Sequence, residues 1–415
     1  MKIISASNHK EIEKVMKRGN DLDSAVEKVK PVLEDVRKDR DKALFKYIEK
    51  FDGKRPAILL VAKKELKEAF ERVDTAVIRA IKQSKENVER YAKLQMPKGW
   101  TKEVSKGVVV GQLVRPLDSV GCYVPGGNFP LISTVVMTVV PAKVAGVKEV
   151  VVCTPKDNDD IYAACYLCGV DKVYRIGGAQ AIAAMAYGTE SVQKVEKIVG
   201  PGNIYVTAAK KLVNGDVGID FLAGPSEVMI IAEKGNAKFI AADMLAQAEH
   251  DMMASAVLVT TDKKLAQEVN EQIDIQLKEL DSEIAKKSIE NYGMIIIVKN
   301  IEEAISLANE FAPEHLEIIV KDKERVIPEL QNFGALFIGE YSPEAAGDYC
   351  SGPNHVLPTG GVARYRSGLS VLDFLKMPTV QELSREGLVS LRKSITKLAA
   401  LEGLRGHKVS VEIRD

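Results

Sequence analysis

Cysteine is scarce in this chain, with five residues among 415 and no regular spacing between them. An odd and sparse count excludes a disulfide framework, which needs paired cysteines in a short chain. Cys165 and Cys168 form one CxxC pair. A zinc ribbon needs a second pair, and none is present. Because the pair lies late in an Ala-rich helical segment, we expect both thiols to be buried packing residues.

The chain also has no net charge, because 58 Lys and Arg residues balance 58 Asp and Glu residues. Without a global field we expect no nucleic-acid partner and no anionic membrane partner. The sequence has no apolar run of about 18 residues, the length that a membrane helix needs. The start, MKIISASNHKEIEKV, turns polar after four residues, unlike a secretory signal. We therefore expect a cytoplasmic protein.

The distribution of apolar residues changes near residue 107. Before it, residues 21–50 and 63–95 have helical spacing, with Pro31 as an expected break. After it, short β-branched runs alternate with segments long enough for a crossover helix. The runs are residues 149–155, 172–177, 196–200, 228–232, 255–261, 294–298, 316–320 and 335–339. This alternation predicts parallel sheet in two α/β units, divided near 222–227, with a helical tail after residue 380.

Two of the five histidines lie in segments that contain possible metal donors. Gln247 and His250 of QAEH are three residues apart and share a helical face. The alternative is a capping network at a helix end. Asp348 and His355 lie in the loop-like segment AAGDYCSGPNHVLPTGG, where the alternative is a long surface connection.

Two further histidines have a glutamate close in sequence. His315 follows Glu314 in APEHLEI, and the two supply groups suited to proton transfer near neutral pH. The alternative is an exposed glutamate and a half-buried histidine. His407 follows Glu402 by five residues near the end of the chain, where a lone histidine would normally face solvent. Together the Gln, His and Asp donors suggest one site suited to Zn²⁺ or another borderline divalent ion.

Glycine-rich turns suggest a second kind of site. Residues 198–213, IVGPGNIYVTAAKKLV, predict a strand, a GxG turn and a helix, which is typical of a phosphate-binding turn. Tyr205 takes the third glycine position, so the dinucleotide fingerprint is incomplete. Residues 121–134 and 175–188 are further glycine turns before helical runs, and Gln180 offers a free amide in the latter.

Eight stretches together resemble the histidinol dehydrogenase family, in the family's order, from about residue 20 to the end. They are GCYVPGG, GGAQAIAA, GPGN, AGPSE, QAEHD, APEHLEI, GDYCSGPNHVLPT and EGLRGH. The resemblance implies oxidation of L-histidinol to L-histidine through L-histidinaldehyde, with two NAD⁺ and one Zn²⁺ per subunit. It also implies a homodimer whose C-terminal tail reaches the partner's site.

The resemblance implies an α/β fold with two Rossmann-like parallel-sheet domains between a helical N-terminal region and a helical C-terminal tail. We expect the N-terminal region at 1–120, packed with the second α/β domain. The NAD-binding domain is expected at 121–227. The second α/β domain, with the zinc and catalytic residues, is expected at 228–375, and the tail at 376–415.

The same resemblance assigns residues to roles. The implied catalytic residues are His315, as the acid/base, and Glu314, which activates water. The implied zinc ligands, which also contact the substrate, are Gln247, His250, Asp348 and His407. Further substrate contacts fall on Ser226, His315, His355 and Glu402. The implied NAD contacts are Tyr123, Gln180 and Asn203.

Three other functions stay open at this point. A dehydrogenase of the same fold could oxidise another small alcohol, although Ser226, His355 and Glu402 favour histidinol. A zinc hydrolase could use Glu314, His315 and a metal to activate water, although the glycine turns disfavour it. A non-catalytic metal-binding protein would leave the grouping of histidines unexplained.

Overall fold

The computed structural model describes residues 1–16, 22–53, 56–126 and 131–414. Its strands are β1 Lys2–Ser5, β2 Leu60–Val61, β3 Trp100–Ser105, β4 Val108–Gln112, β5 Arg115–Pro116, β6 Ser119–Tyr123, β7 Glu149–Thr154, β8 Lys172–Arg175, β9 Lys197–Val199, β10 Gly218–Ile219, β11 Glu227–Ala232, β12 Ser255–Thr260, β13 Gly293–Ile297, β14 His315–Ile319, β15 Ala335–Ile338, β16 Leu375–Lys376 and β17 Thr379–Leu383.

Helices connect most of the parallel strands and form both ends of the chain. They are α1 His9–Met16, α2 Leu22–Asp52, α3 Lys63–Arg72, α4 Thr75–Gln95, α5 Ile132–Ala145, α6 Asp159–Cys168, α7 Gly178–Tyr187, α8 Ile204–Val213, α9 Ala237–Ala248, α10 Lys263–Leu280, α11 Glu283–Tyr292, α12 Ile301–Phe311, α13 Lys323–Val326, α14 Glu344–Tyr349, α15 Arg385–Leu401 and α16 Arg405–Glu412. Short 3₁₀ turns lie at Ile327–Glu329, Val362–Arg364 and Val371–Phe374.

Two six-stranded sheets organise the chain. The first has the order β10-β9-β6-β7-β8-β2 and is parallel except for β2, which pairs antiparallel with β8. The second has the order β1-β13-β12-β11-β14-β15 and is parallel throughout. The predicted α/β fold with two parallel sheets is confirmed. The sheets divide between Ile219 and Glu227, in the segment that contains Gly224 and Pro225.

The central strands are buried on both faces by crossover helices. Every residue of β11 and β12 is buried, and both strands are runs of mostly apolar residues. Such runs are typical of parallel strands, because helices cover both faces of the sheet. All eight strands predicted from apolar runs are present in the structure. The sequence prediction missed β6, which pairs with β7 and β9 at the centre of the first sheet.

The N-terminal helices pack mainly on the first sheet's domain. Helix α2 packs against α7 and α8, α3 against α6, and α4 against α5. Among the described N-terminal elements, β1 pairs with β13 of the second domain and the apolar face of α1 enters its core, while α4 contacts the end of α14. The expectation that residues 1–120 pack with the 228–375 domain is therefore wrong for most of that region. An amphipathic pattern predicts that a helix buries one face, but it does not say against which sheet.

The end of the expected 228–375 domain also belongs with the first sheet. Val356, Leu369, Val371 and Phe374 lie in the core that covers β6 and β7. The loop after α14 therefore crosses from one domain to the other. Its end contacts the amino end of the first sheet, where the Leu117 amide donates to the Phe374 carbonyl at 2.9 Å.

Two further details differ from the prediction. Helix α2 continues through Pro31, and the non-helical backbone falls at Arg40, with φ of 52°. The Arg40 guanidinium donates to the carbonyl of Tyr187 at 2.8 Å, at the end of α7. The tail expected to be helical from residue 376 begins with β16 and β17, and β17 joins β4 and β3 in an antiparallel sheet.

The CxxC thiols behave as predicted, since Cys165 and Cys168 are both buried in α6. Across the described residues, we find no helix with the length and apolarity that crossing a bilayer requires.

Candidate active site

The three predicted NAD contacts lie at the carboxyl end of the first sheet. Tyr123 ends β6, and its hydroxyl accepts a hydrogen bond from the Gly178 amide at 3.0 Å. Gln180 is buried one turn into α7. Asn203 caps α8, and its side-chain oxygen accepts from the Tyr205 amide at 3.0 Å. Strands β6 to β10 are all parallel, but the chain adds β7 and β8 on one side of β6 and β9 and β10 on the other. This reversal of strand order makes the β6–β9 boundary the switch point where α/β sheets bind ligands.

A buried ion pair that sequence reasoning missed fixes the GPGN turn. Lys210 and Asp220 form the pair, and both are almost completely buried. The Lys210 ammonium donates to the Gly200 carbonyl at 3.0 Å, and the Asp220 carboxylate accepts from the Gly200 amide at 2.8 Å. Gly200 has φ of +113° and packs directly on the Tyr123 backbone, where a Cβ would collide. The turn therefore needs glycine at this position.

Glu314 and His315 lie at the start of β14, and both are buried, with exposures of 5% and 3%. The alternative of an exposed glutamate beside a half-buried histidine is wrong. The Glu227 amide donates to Glu314 Oε2 at 3.0 Å, and His315 Nδ1 lies 3.2 Å from the Glu227 carbonyl oxygen. A carbonyl oxygen can only accept, so Nδ1 carries the imidazole proton. This tautomer leaves the lone pair on Nε2, the nitrogen that a general base needs.

Burial shifts the two groups in opposite directions. Loss of solvation lowers the pKa of His315 to about 4, against the opposing charge of Asp348. The imidazole is thus neutral at neutral pH. Burial raises the pKa of Glu314 well above its usual range. Once ionised, the Glu314 carboxylate is a stronger base than an exposed one.

Asp348 lies at the centre of the histidines. Its Oδ1 is 3.8 Å from His315 Nε2, and its Oδ2 is 3.6 Å from His250 Nε2. His355 Nδ1 donates to the Asp348 carbonyl at 3.0 Å. Although burial acts to raise it, the His250 contact and the neighbouring imidazoles hold the pKa of the Asp348 carboxyl below its usual value. Asp348 therefore remains an anion among three imidazoles.

Three buried side chains at this site have polar atoms without a hydrogen-bond partner. Gln247, in the last turn of α9, has both side-chain polar atoms unpaired, Glu344 has both carboxyl oxygens unpaired, and the Nε2 of His355 is unpaired. The unpaired amide excludes the capping network considered for Gln247. Burying such groups without partners costs roughly 1–3 kcal/mol each. Their pairing with a ligand would recover part of this cost.

The described residues include no cluster of three or more His, Cys, Asp or Glu side chains placed to hold a metal ion. A smaller set is present around Asp348. His250 and Asp348 face each other, and the unpaired Gln247 amide is an oxygen donor from the same helix end. One nitrogen and two oxygen donors suit Zn²⁺, which usually has four ligands. The three residues fit such an ion, and the set needs one more ligand.

Glu402 and His407 do not join this group within one chain. Both are exposed on the C-terminal tail. Helix α16 packs on α15, which in turn follows β17. Of the residues predicted for the site, the structure gathers Glu314, His315, His250, Asp348, His355 and Gln247, with Ser226 hydrogen-bonded to Glu314.

Helix α4 braces the end of α14, the helix that carries Asp348, which no sequence pattern indicated. The Ser84 hydroxyl donates to the Tyr349 carbonyl, and the Asn87 amide donates to the Cys350 carbonyl at 2.8 Å. Glu344 was also missed. It is fully buried one turn before Asp348, and its Oε2 lies 4.0 Å from His315 Nδ1. Isolated polar residues on amphipathic helices give no signal of such contacts.

Two doubly wound sheets, a glycine turn at the switch point and a buried acid/base pair define a dehydrogenase-type α/β enzyme. The family profile described as histidinol dehydrogenase matches residues 15–415. The chain belongs to the histidinol dehydrogenase family, as the sequence resemblance predicted, and is accordingly an NAD-dependent oxidoreductase.

Similar proteins match over nearly the whole length. Histidinol dehydrogenase of Methanothermobacter thermautotrophicus is 46% identical over 419 residues, covering 99% of this chain and 98% of that protein. The protein of the same name from Bacillus cereus is 47% identical, covering 97% and 96%.

Solved structures show both the family fold and a wider one. The crystal structure of histidinol dehydrogenase from Elizabethkingia anophelis has a TM-score of 0.93 and 37% identity, covering 100% of this chain and 97% of that one. An acetylating aldehyde dehydrogenase from Geobacillus thermoglucosidasius, at 14% identity and a TM-score of 0.52, covers 87% and 97% and shares the fold alone.

Proposed function

We propose that this enzyme oxidises L-histidinol to L-histidine through L-histidinaldehyde, with two NAD⁺ and one Zn²⁺ per subunit. The observation that carries the proposal is the His315 imidazole, neutral and with its lone pair on Nε2, beside Asp348. This nitrogen can take the proton of an alcohol as hydride leaves the carbinol carbon. Histidinol is the alcohol that the names of the similar proteins indicate.

Gln247, His250 and Asp348 would hold the zinc, with His407 of a second copy as the fourth ligand. When bound, zinc supplies a Lewis acid that anchors the amine and imidazole nitrogens of the substrate. Ser226, His355 and Glu402 would complete the substrate site. His355 supports this role through its buried and unpaired Nε2, which is a suitable partner for a polar group of the substrate.

In the first oxidation, His315 Nε2 accepts the hydroxyl proton while hydride moves from the carbinol carbon to the first NAD⁺. The products are the aldehyde, NADH and a protonated imidazole. The Asp348 carboxylate, 3.8 Å from Nε2, stabilises the imidazolium that forms. The Nδ1 bond to the Glu227 carbonyl holds the ring in place during the transfer.

In the second oxidation, water adds to the aldehyde carbonyl and Glu314 takes the proton of that water. The raised pKa of Glu314 makes its carboxylate a suitable base near neutral pH. The His315 imidazolium returns its proton to the former carbonyl oxygen, which gives the hydrate and a neutral imidazole. As hydride moves from the hydrate to the second NAD⁺, His315 takes one hydroxyl proton, and the carboxylic acid that forms releases its last proton to solvent and becomes the carboxylate of histidine. Tyr123, Gln180 and Asn203 would position each NAD⁺ at the carboxyl end of the first sheet.

A homodimer with an exchanged tail is part of the proposal. The tail helices expose large apolar side chains that no part of this chain covers in the described structure. They are Val389, Leu398, Leu401, Val409 and Ile413. Such exposed apolar faces mark interaction surfaces. The same tail carries Glu402 and His407, which supports its insertion at a partner's site.

Mixed dimers test the exchanged tail. Chains with His407→Asn and chains with His315→Asn, each inactive alone, would form hybrid dimers after mixing and refolding. In each hybrid dimer, one active site would combine the intact His315 of the His407→Asn chain with the intact His407 on the tail of the His315→Asn chain. We expect recovery of about one quarter of wild-type activity at equal mixing. No recovery, with hybrids verified by mass spectrometry, would contradict tail exchange.

Product analysis tests the reaction. Purified enzyme with L-histidinol and NAD⁺ should yield histidine by chromatography, and a chelator should abolish it until Zn²⁺ is restored. Other small amino alcohols should react far more slowly. Fast oxidation of such an alcohol, with histidinol inert, would move the assignment to another dehydrogenase substrate. Hydrolysis of an amide without NADH would favour the zinc hydrolase.

A further inference from the structure

Two hydrogen bonds join the segment before β11 to the loop that carries His355. The Gly224 amide donates to the Thr359 hydroxyl, and the Gly360 amide donates to Glu227 Oε1 at 3.0 Å. Glu227 and Thr359 are buried, with exposures of 2% and 3%. Buried bonds of this kind persist, because water does not compete for them. We call this pair of contacts the 227–359 latch.

The latch lies between two residues that would contact the substrate. Ser226 stands between Gly224 and Glu227 on one side of the latch. On the other side, His355 precedes Thr359 by four residues. We therefore expect loss of the latch to alter the separation of Ser226 and His355. Neither latch side chain is itself among the residues implied to touch substrate or cofactor.

Glu227 also contacts the catalytic pair, but through its backbone. Its amide donates to Glu314 Oε2, and its carbonyl accepts from His315 Nδ1. A change of the Glu227 side chain leaves these backbone groups in the chain. The Glu227 carboxylate also acts on Glu314 through its charge, so the Thr359 hydroxyl is the part of the latch that mutation can remove without changing the charge beside the catalytic pair.

The rest of the His355 loop is fixed to other elements. The Asn354 side chain donates to the Met137 carbonyl of α5 at 2.6 Å, which ties the loop to the first domain. His355 Nδ1 donates to the Asp348 carbonyl at 3.0 Å. The latch ties this loop to the segment that carries Ser226. Without the latch, the loop keeps its attachment to α5, but its position relative to Ser226 is no longer fixed.

We propose that Glu227 and Thr359 are positioning residues that hold Ser226 and His355 at the separation that selects the substrate. This inference rests on the proposed function, in which Ser226 and His355 bind histidinol. A loosened latch weakens recognition of the imidazole-bearing alcohol. The hydride transfer step and the NAD⁺ site, fixed by other contacts, are unaffected.

The test uses paired variants of the full-length enzyme. Glu227→Ala and Thr359→Val each remove one bond, whereas Glu227→Gln and Thr359→Ser keep an acceptor at the same position. We expect the first pair to raise KM for L-histidinol about tenfold, the effect of one lost buried hydrogen bond. In Thr359→Val, KM for NAD⁺ and kcat should stay within about threefold, whereas Glu227→Ala also removes a charge near Glu314 and is compared only by its KM for L-histidinol. The conservative pair should stay close to the wild type.

A matched control is Glu303→Ala, which removes the bond that the Lys299 amide donates to Glu303 Oε2 at 2.7 Å, at the exposed start of α12. It should leave both KM values unchanged. A fall in kcat without a rise in KM for histidinol would overturn the proposal. So would a Gln variant as impaired as the Ala variant, since the acceptor would then not be what matters.

Hydrogen exchange separates this proposal from the proposed function. Residues 356–361 should exchange faster in the Ala and Val variants, with α5 and β14 unchanged. Unaltered exchange in this loop would contradict the latch even if KM rose. If the wild type failed to oxidise histidinol, the proposed function would fail, and the exchange result would still decide whether the latch exists.

Discussion

Replacing His315 with asparagine should change how stability depends on pH. In the folded chain burial lowers the pKa of this imidazole from 6.5 to about 4. Below pH 6.5 the unfolded chain therefore binds a proton at His315, whereas the folded chain does not bind one until the pH approaches 4. The stability that neutral His315 allows is fully present above pH 6.5 and is lost as the pH falls toward 4. His315→Asn has no such group to protonate.

The size of the effect follows from the two pKa values. One pKa unit corresponds to about 1.4 kcal/mol. The His315 imidazole should therefore lower the free energy of unfolding of the wild type by about 2 to 3 kcal/mol between pH 7 and pH 4.5. Urea unfolding of both proteins at the two pH values, in chelator, measures this difference. The wild type should lose that much more stability than His315→Asn. Equal losses in the two proteins would refute a buried neutral imidazole.

The same variant should lose the general base. Loss of a positioned base typically slows proton transfer about 10²- to 10⁴-fold. The rate at which the first NADH forms, followed by stopped-flow absorbance, should fall to this extent, while the amount of bound zinc stays at the wild-type value. A first turnover within about threefold of the wild type would remove His315 from the base role.

Three other variants test separate parts of the account. Glu314→Gln should form the first NADH at a rate close to that of the wild type and the second at least about a hundredfold more slowly. The ratio of NADH formed to histidinol consumed should therefore approach one. A ratio of two would contradict the role of Glu314 in activating water. His407→Asn should lower the bound zinc measured by elemental analysis and cut turnover at least about tenfold, and unchanged zinc and rate would exclude it as a ligand. Burial raises the pKa of the Glu344 carboxyl well above its usual range, so its contribution to stability is present below pH 4.5 and is lost as the pH rises through the folded-state pKa. Glu344→Gln should therefore raise the melting temperature at pH 8 relative to the wild type by several degrees more than at pH 5, and equal differences at both values would contradict this.

The sheets could be predicted because burial on both faces leaves a direct trace in the sequence. Runs such as those of β11 and β12 are apolar at nearly every position, as parallel strands require. Strand β6 was missed because its residues, SVGCY, include a glycine and continue into a glycine-rich turn. Gly121 lies against Met185, and this close approach is invisible without the partner helix.

The site could be predicted only in part from the residues themselves. Histidine, glutamate and aspartate have a limited set of uses, so His315, Glu314 and Asp348 stood out as candidates. Their grouping depended on the resemblance to the family, because they lie on different elements. The residues that hold them, Glu227 and Ser84, are ordinary polar residues in the sequence. Their roles follow from contacts between segments far apart in the chain, which local patterns do not encode.

The number of NADH formed per L-histidinol consumed tests the central claim most directly. Absorbance at full conversion, with and without a chelator, gives the ratio in one experiment. The account predicts two NADH per histidinol, abolished by the chelator and restored by Zn²⁺. A ratio of one, or NADH formation that persists in protein shown to be free of zinc, would contradict it.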